Sequence, residues 1–275
     1  MCFSTTLRVE ACYFCGVLQP FPNHSHDYYV IGCLEDGMRH MVCQNSEYRL
    51  RPGDLLIFTP GDNHACTTEH GKALTYRSFH VGTPILQELS GRHDAIPRFV
   101  SPVIDDPRLF TRFVQMHERV MRGDHGASLA AEFKAILQSC LRRHGAKTPL
   151  GMLRPTPAVE KACTWMRSHY AEPVTLDALS ALTGMNRSAL VRAFVRCTGI
   201  TPYRYVETLR IGRARTLLEG GMEPAMVALE TGFADQSHFG RFFKQRLGLT
   251  PKQYQSVFDP VTTENMEEKQ PGVFP

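Results

Sequence analysis

The sequence predicts a multidomain chain of mixed α and β class. An N-terminal β-barrel is followed by two amphipathic helices and then by an all-α part carrying a double helix-turn-helix. Three observations lead there. Short β-branched and aromatic runs separated by turn residues fill residues 24–82. From Asp105 the apolar spacing changes to three and four. Residues 158–258 contain an internal repeat. At roughly 100–200 residues per domain, the 275 residues suggest about two domains. The expected partition is 1–104 barrel, 105–144 helical pair, 145–157 linker, 158–258 helical repeat and 259–275 disordered tail.

Composition narrows the class. Hydrophobic residues make up 43% and charged residues 21%, which excludes wholesale disorder. No apolar run approaches the roughly 18 residues that a membrane helix needs. Met1 to Pro20 lacks the basic and apolar segments of a secretory signal. Nine cysteines spread over a long chain suit a reduced, cytoplasmic protein better than a disulfide scaffold. The net charge of +4 is unevenly shared: residues 156–258 carry +5, residues 1–155 carry +2 and the tail carries −3. A basic excess in one segment suits an anionic partner. Ten of the twelve histidines lie before residue 150, so the two halves do different work.

In chain order, strands are expected at Tyr28–Cys33, Arg39–Val42, Tyr48–Leu50, Leu55–Phe58 and Leu74–Val81. Glu35-Asp36-Gly37, Pro52-Gly53-Asp54 and Pro60-Gly61-Asp62 are the turns between them. Leu109, Phe113, Met116 and Val120 then form one helical stripe, and Leu129, Phe133, Ile136 and Cys140 a second, with a turn at Gly123–Gly126. Such stripes cover a core or form a dimer seam, and both readings stay open. Gly145, Pro149, Gly151, Pro155 and Pro157 mark the linker.

The repeat is the most informative feature. Ser188-Ala-Leu-Val-Arg192-Ala-Phe194 matches Ser237-His-Phe-Gly-Arg241-Phe-Phe243 at a separation of 49 residues. Gly199-Ile-Thr-Pro202 matches Gly248-Leu-Thr-Pro251, and Tyr205 matches Tyr254, at the same separation. Thr183-Gly184 matches Thr231-Gly232 at 48, so the second turn is one residue longer. Each unit reads as a helix, a glycine turn and a second helix. Asn186 and Asp235 are placed to cap the second helices.

Those second helices have divided surfaces. Leu190 with Phe194, and Phe239 with Phe243, should face the core. Left outside are Arg187, Ser188, Val191, Arg192 and Arg196 in the first unit. In the second they are Gln236, Ser237, His238, Arg241 and Lys244. Arginine bonds guanine bidentately, glutamine pairs with adenine, and serine or lysine holds phosphates. The helical segment 203–219 between the units would span about 25 Å as a spacer. Two recognition helices so joined suit double-stranded DNA, whose successive major-groove segments lie about 34 Å apart.

These motifs, with Leu176-Asp-Ala-Leu, Arg210, Arg213-Ala-Arg and Leu217-Leu218, closely resemble the AraC/XylS family of bacterial transcription regulators over residues 158–258. Asn186 stands where the family commonly has serine, and both residues cap helices. The resemblance implies base contacts from Ser188, Val191, Arg192, Gln236, Ser237, His238 and Arg241. It leaves Arg196 and Lys244 for phosphates. It also implies operator DNA, RNA polymerase and a second copy of the chain as partners, and no membrane.

In the histidine half, His24-Ser-His26 before a strand and His64 after Pro60-Gly61-Asp62-Asn63 resemble the cupin barrel pattern. That pattern occurs in the small-molecule-binding domain placed before many members of the same family. Metal-binding cupins add a glutamate shortly after the second histidine; Tyr29, Val30 and Ile31 occupy that stretch here. Three readings of His24, His26 and His64 therefore stand side by side: ligands of a divalent metal, polar groups at a pocket mouth, or surface histidines with no role. Tyr28, Tyr76 and His80 are further candidate pocket residues, with Arg77 ambiguous between pocket and core. Cys12-Tyr-Phe-Cys15 is a lone pair that a buried strand explains as well as redox chemistry does. The expected function is a non-enzymatic, effector-responsive DNA-binding regulator. The rival is a cupin-type metal oxygenase or isomerase joined to a DNA-targeting module.

Overall fold

The computed structural model describes residues 1–69, 71–91, 95–146 and 156–258. Most of the expected linker and the whole expected tail lie outside the described residues. Two compact units emerge: Met1–Ser168 with Val174–Thr208, and His169–Pro173 with Leu209–Pro275.

The first unit opens with β1 (Cys2–Ser4), β2 (Val9–Val17), β3 (Phe21–His24), β4 (Tyr29–Asp36) and β5 (Arg39–Cys43). Next come β6 (Ser46–Leu50), β7 (Leu55–Phe58), β8 (His64–Thr68), β9 (Leu74–Val81), α1 (Thr83–Ser90) and β10 (Val103–Ile104). Every pairing is antiparallel. The barrel expectation is corrected here. The strands form two open sheets, ordered β1-β2-β9-β4-β7-β10 and β3-β8-β5-β6. Among the described residues no ladder joins one sheet to the other. The three long strands, of eight and nine residues, all lie in the large sheet beside short ones of two to four, whereas the small sheet uses four and five throughout. The sheets face one another across an apolar layer instead of closing edge to edge.

Strand alternation explains both faces of the large sheet. Tyr29, Ile31 and Cys33 of β4 point to one core with Val9, Ala11, Ile57, Phe79 and Val81. Tyr28, Val30 and Leu34 point to the other with Met41, Cys43, Leu50, Leu56 and Phe58. The continuous apolar run of β4 follows from burial on both sides. Gln44 and Asn45 both take positive φ in the two-residue β5–β6 hairpin, as a primed turn requires.

Helices α2 (Pro107–Met121) and α3 (Ala127–His144) cover the first core with α1. Asp106 caps α2 by accepting from the Leu109 amide at 3.2 Å, and Arg143 and His144 of α3 reach the same carboxylate. Leu109, Phe113, Met116 and Val120, with Leu129, Phe133, Ile136 and Cys140, are all buried in this core. Both stripes are thereby consumed within the chain.

The first helical repeat comprises α4 (Pro157–Ser168), α5 (Leu176–Thr183) and α6 (Arg187–Thr198). Helix α7 (Pro202–Glu219) begins in the first unit and ends in the second. The second unit continues with α8 (Pro224–Glu230), α9 (Gln236–Leu247) and α10 (Pro251–Ser256).

Candidate nucleic-acid interface and histidine cluster

The two helix-turn-helix units are built by the same local rules. Thr175 caps α5, and Asn186 caps α6 by accepting from the Ala189 amide at 2.8 Å. Asp235 caps α9 by accepting from the His238 amide at 2.7 Å. Gly184, Gly199 and Gly248 end α5, α6 and α9 in left-handed conformation. Leu190 and Phe194 are fully buried in one unit, as are Phe239 and Phe243 in the other.

The repeat extends to details that sequence reading missed. Phe194 meets Tyr205 edge-on with ring centroids 5.5 Å apart, and Phe243 meets Tyr254 edge-on at 5.4 Å. Each tyrosine hydroxyl accepts from an arginine one helix pair upstream: Arg167 at 2.9 Å and Arg215 at 3.1 Å. Arg167 and Arg215 are 48 residues apart, the upstream offset of the repeat. That offset was the available signal, and it identifies α4 as the counterpart of α7. The longer second turn admits Phe233, which is buried against Phe239 and Phe242.

Outward lie the expected reading residues. Arg187, Ser188, Arg192 and Arg196 are exposed on α6, with Val191 half-buried. Gln236, Ser237, Arg241 and Lys244 are exposed on α9. His238 is half-buried, edge-on to Phe233 at 5.6 Å. Arg187 is held by Asp177 of α5.

The histidines of the sheet half come together. His24 and His64 are partners across the β3–β8 ladder. Their ring centroids are 4.4 Å apart, and His26 lies 4.7 Å from His24 and 5.2 Å from His64. One ring nitrogen from each falls within 4.8 Å of the others. His24 and His64 are buried, and His26 is half-buried. His64 lies flat on Phe58, with centroids 3.7 Å apart and planes at 5°. Burial lowers its basicity to a pKa of about 4, against a smaller opposing effect of the Asp62 carbonyl. The turn before it is held by Asp62, which accepts from the Thr59 amide and from Arg98, each at 3.0 Å.

The other expected pocket residues divide. Tyr28 is buried, 4.8 Å from His26 and 4.8 Å from His80 between ring centroids. His80 pairs with buried Glu10 at 2.7 Å. Tyr76 lies over Gly32: a Cβ on that glycine would stand 2.1 Å from the Tyr76 hydroxyl. Arg77 pairs with Glu35 at 2.7 Å and lies over the Tyr13 ring. Cys12 is buried and Cys15 exposed; both are free thiols. Their odd separation on β2 sends them to opposite faces, which disfavours a redox pair.

Arg39 is the site residue that sequence reading missed. It is fully buried, its Nη2 donates to the Val17 carbonyl, and among the described residues its Nε and Nη1 find no hydrogen-bond partner. The signal was present: Arg39, Met41 and Cys43 alternate inward along β5, so the pattern places a guanidinium inside.

Comparison with known proteins agrees with both halves. Residues 9–139 match the family model for an AraC-like ligand binding domain, and residues 179–256 match one for a helix-turn-helix domain. An uncharacterised helix-turn-helix transcriptional regulator of Bacillus subtilis strain 168, YbfI, is 40% identical over 84% of this chain and 86% of its own length. The transcriptional activator RhaS of Escherichia coli K12/DH10B is 26% identical over 84% of the chain and 86% of its own length. Among solved structures, ToxT of Vibrio cholerae O395 has the same fold, with a TM-score of 0.57 at 13% identity, covering 92% of this chain and 98% of that one. ToxT with an unsaturated fatty acid bound, from strain SCE256, gives 0.53 at 14% identity, covering 90% and 95%. The molecule is a DNA-binding transcription regulator with an effector-binding domain. It belongs to the AraC family.

Proposed function

We propose that α6 and α9 are the two DNA-reading helices. Ser188, Val191 and Arg192, with Gln236, Ser237, His238 and Arg241, reach bases; Arg196 and Lys244 hold phosphates, and Arg187, paired with Asp177, lies on the same DNA-facing side. The observation that carries this reading is the matched pair of capped helices, each with an apolar inner stripe and a polar outer face. We further propose that the effector lies between the two sheets, among His24, His26, Tyr28, His64, Tyr76 and His80. Arg39 adds a buried positive charge to that layer, which suits an anionic group on the effector. The fatty acid held by ToxT is a precedent for such a group in this fold. The regulator works in the cytoplasm as a homodimer that engages RNA polymerase and has no catalytic role. Because the apolar stripes of α2 and α3 are spent on their own core, a dimer contact there uses the outward faces of those helices.

Binding measurements on the operator test the DNA reading. Arg241→Ala should cost about 1–3 kcal/mol and relax specificity at one base pair. Lys244→Ala should weaken binding to all sequences and flatten the salt slope by about one. Equal, sequence-independent losses in both variants would reject the assignment.

A further inference from the structure

We propose that His24, His26 and His64 form a three-imidazole site for a first-row divalent transition-metal ion, with at least one coordination position left open. Proximity is the first support. Zinc–nitrogen bonds of about 2.0–2.1 Å put two ligand nitrogens roughly 3.3 Å apart, so closing the 4.8 Å cluster takes side-chain adjustments on the order of an ångström.

Orientation is the second support. His24 Nδ1 is 2.6 Å from the Pro22 carbonyl, and His64 Nδ1 is 3.1 Å from the Asp62 carbonyl. A carbonyl only accepts, so each ring carries its proton on Nδ1 and keeps a lone pair on Nε2. Metal-ligating histidines are oriented in this way by an outer carbonyl. The ladder partnership of His24 and His64 fixes both backbones, and Phe58 stacked on His64 fixes one ring plane. Two of the three ligands are therefore positioned before any ion arrives.

The donor set chooses the ion. Three neutral imidazoles suit zinc, nickel, cobalt or copper, whereas magnesium and calcium require oxygen. Among the described residues no carboxylate joins the cluster, so the ion's double positive charge stays uncompensated by these ligands. A three-ligand zinc site leaves a position for water or for an added donor. Tyr28, against His26, and His80, against Tyr28, line the approach from the proposed effector layer. An oxygen donor on an anionic effector suits that position. Only this last step rests on the effector reading.

The test uses the full chain, stripped with a chelator and titrated calorimetrically with Zn²⁺ and Co²⁺ in the absence of DNA and effector. About one equivalent should bind per chain, and the cobalt form should show visible d–d bands without thiolate-to-cobalt charge transfer. His26→Ala, at the half-buried position, should weaken binding about 100-fold or more, exceeding the loss expected for an outer partner. His64→Gln should do likewise, with circular dichroism and thermal unfolding confirming that each variant is folded. His40→Ala, a half-exposed histidine outside the cluster, should bind as wild type. Should His64→Gln fail to fold, His26→Gln replaces it. Substoichiometric uptake, unchanged affinity in the cluster variants, or a thiolate band assigning the ion to cysteines would each overturn the proposal. None of these outcomes bears on DNA binding, so the regulator reading is tested separately.

Discussion

The two halves of the molecule treat polar groups in opposite ways. In the sheet half, Glu10, His24, Arg39, Asp62, His64, Ser78, Asp106 and His117 are all buried. In the helical half, the buried polar residues among those described are Glu207 and Thr231. Burying a charge or an imidazole costs free energy unless it is paired. The sheet half bears that cost on both sides of its large sheet: Asp106 and His117 against the α2–α3 core, Arg39 and His64 towards the small sheet. The helical half keeps its core largely apolar and exposes Arg187, Arg192, Arg196 and Arg241, where a polyanion is met from outside. The difference separates a domain organised around its interior from one organised around its exterior.

The sharpest way to break this contrast is to damage the apolar interior of the helical half. Phe243→Ala should cost about 3–5 kcal/mol in denaturant unfolding, since Phe243 is fully buried against Phe239 and Tyr254. A loss below about 1 kcal/mol would show that the core does not hold this half together.

The sheet half should instead be sensitive to acid. His117 is buried, with Nε2 2.9 Å from the Cys12 carbonyl. Burial, and secondarily the nearby Arg77, lower its pKa to about 4. The unfolded chain then binds the extra proton first, so this contribution is complete above about pH 6.5 and is lost as pH falls toward 4. The shift corresponds to about 3 kcal/mol. Urea midpoints measured between pH 7 and 4 should fall accordingly, and His117→Leu should flatten the decline. An unchanged slope in that variant would remove His117 as a cause.

Arg39 tests whether buried polarity serves binding at the expense of stability. Arg39→Met keeps length and removes an under-bonded guanidinium, so unfolding should be unchanged or stabilised by about 1–4 kcal/mol. A thermal-shift screen should at the same time lose its response to anionic small molecules. Destabilisation by several kcal/mol would make Arg39 a structural brace.

The smallest expected effects are at the caps. Asn186→Ala and Asp235→Ala should each cost about 1 kcal/mol, because each removes a side chain that accepts from the first turn of a reading helix. Similar losses would confirm that the two units are energetic as well as geometric copies. A loss confined to one would break the equivalence.

Much of this was legible in the sequence because it depends on short-range rules. Caps, glycine stops and the Leu190–Phe194 spacing are decided within a turn of helix; those of α5, α6 and α9 appear where the repeat places them, whereas α8 starts on Glu223 without a side-chain cap and ends on Thr231, one residue before the left-handed Gly232. β5, β7 and β9 follow their β-branched runs to within a residue. β2 was readable only as a strand around Cys12 and Cys15, and β8 escaped notice because a cysteine and two threonines dilute its pattern. Closure of the strands was not legible at all, since edge pairing depends on strand lengths and on which sheet each strand joins. The histidine cluster was visible as residues but not as a geometry. The partnership of His24 with His64 spans forty residues and follows from sheet order. Arg39 was hidden for the opposite reason: its position was readable, but an arginine facing inward contradicts the usual expectation.

Gly32 and Tyr76 carry a consequence for how this domain can change over time. The ring of one residue occupies the volume that a side chain on the other would fill. A larger residue at 32 is tolerated only with a smaller one at 76, and a smaller residue at 76 opens a hollow that a larger one at 32 can close. Steric exclusion therefore couples the two positions, and a change of shape at this point of the layer between the sheets has to pass through both at once.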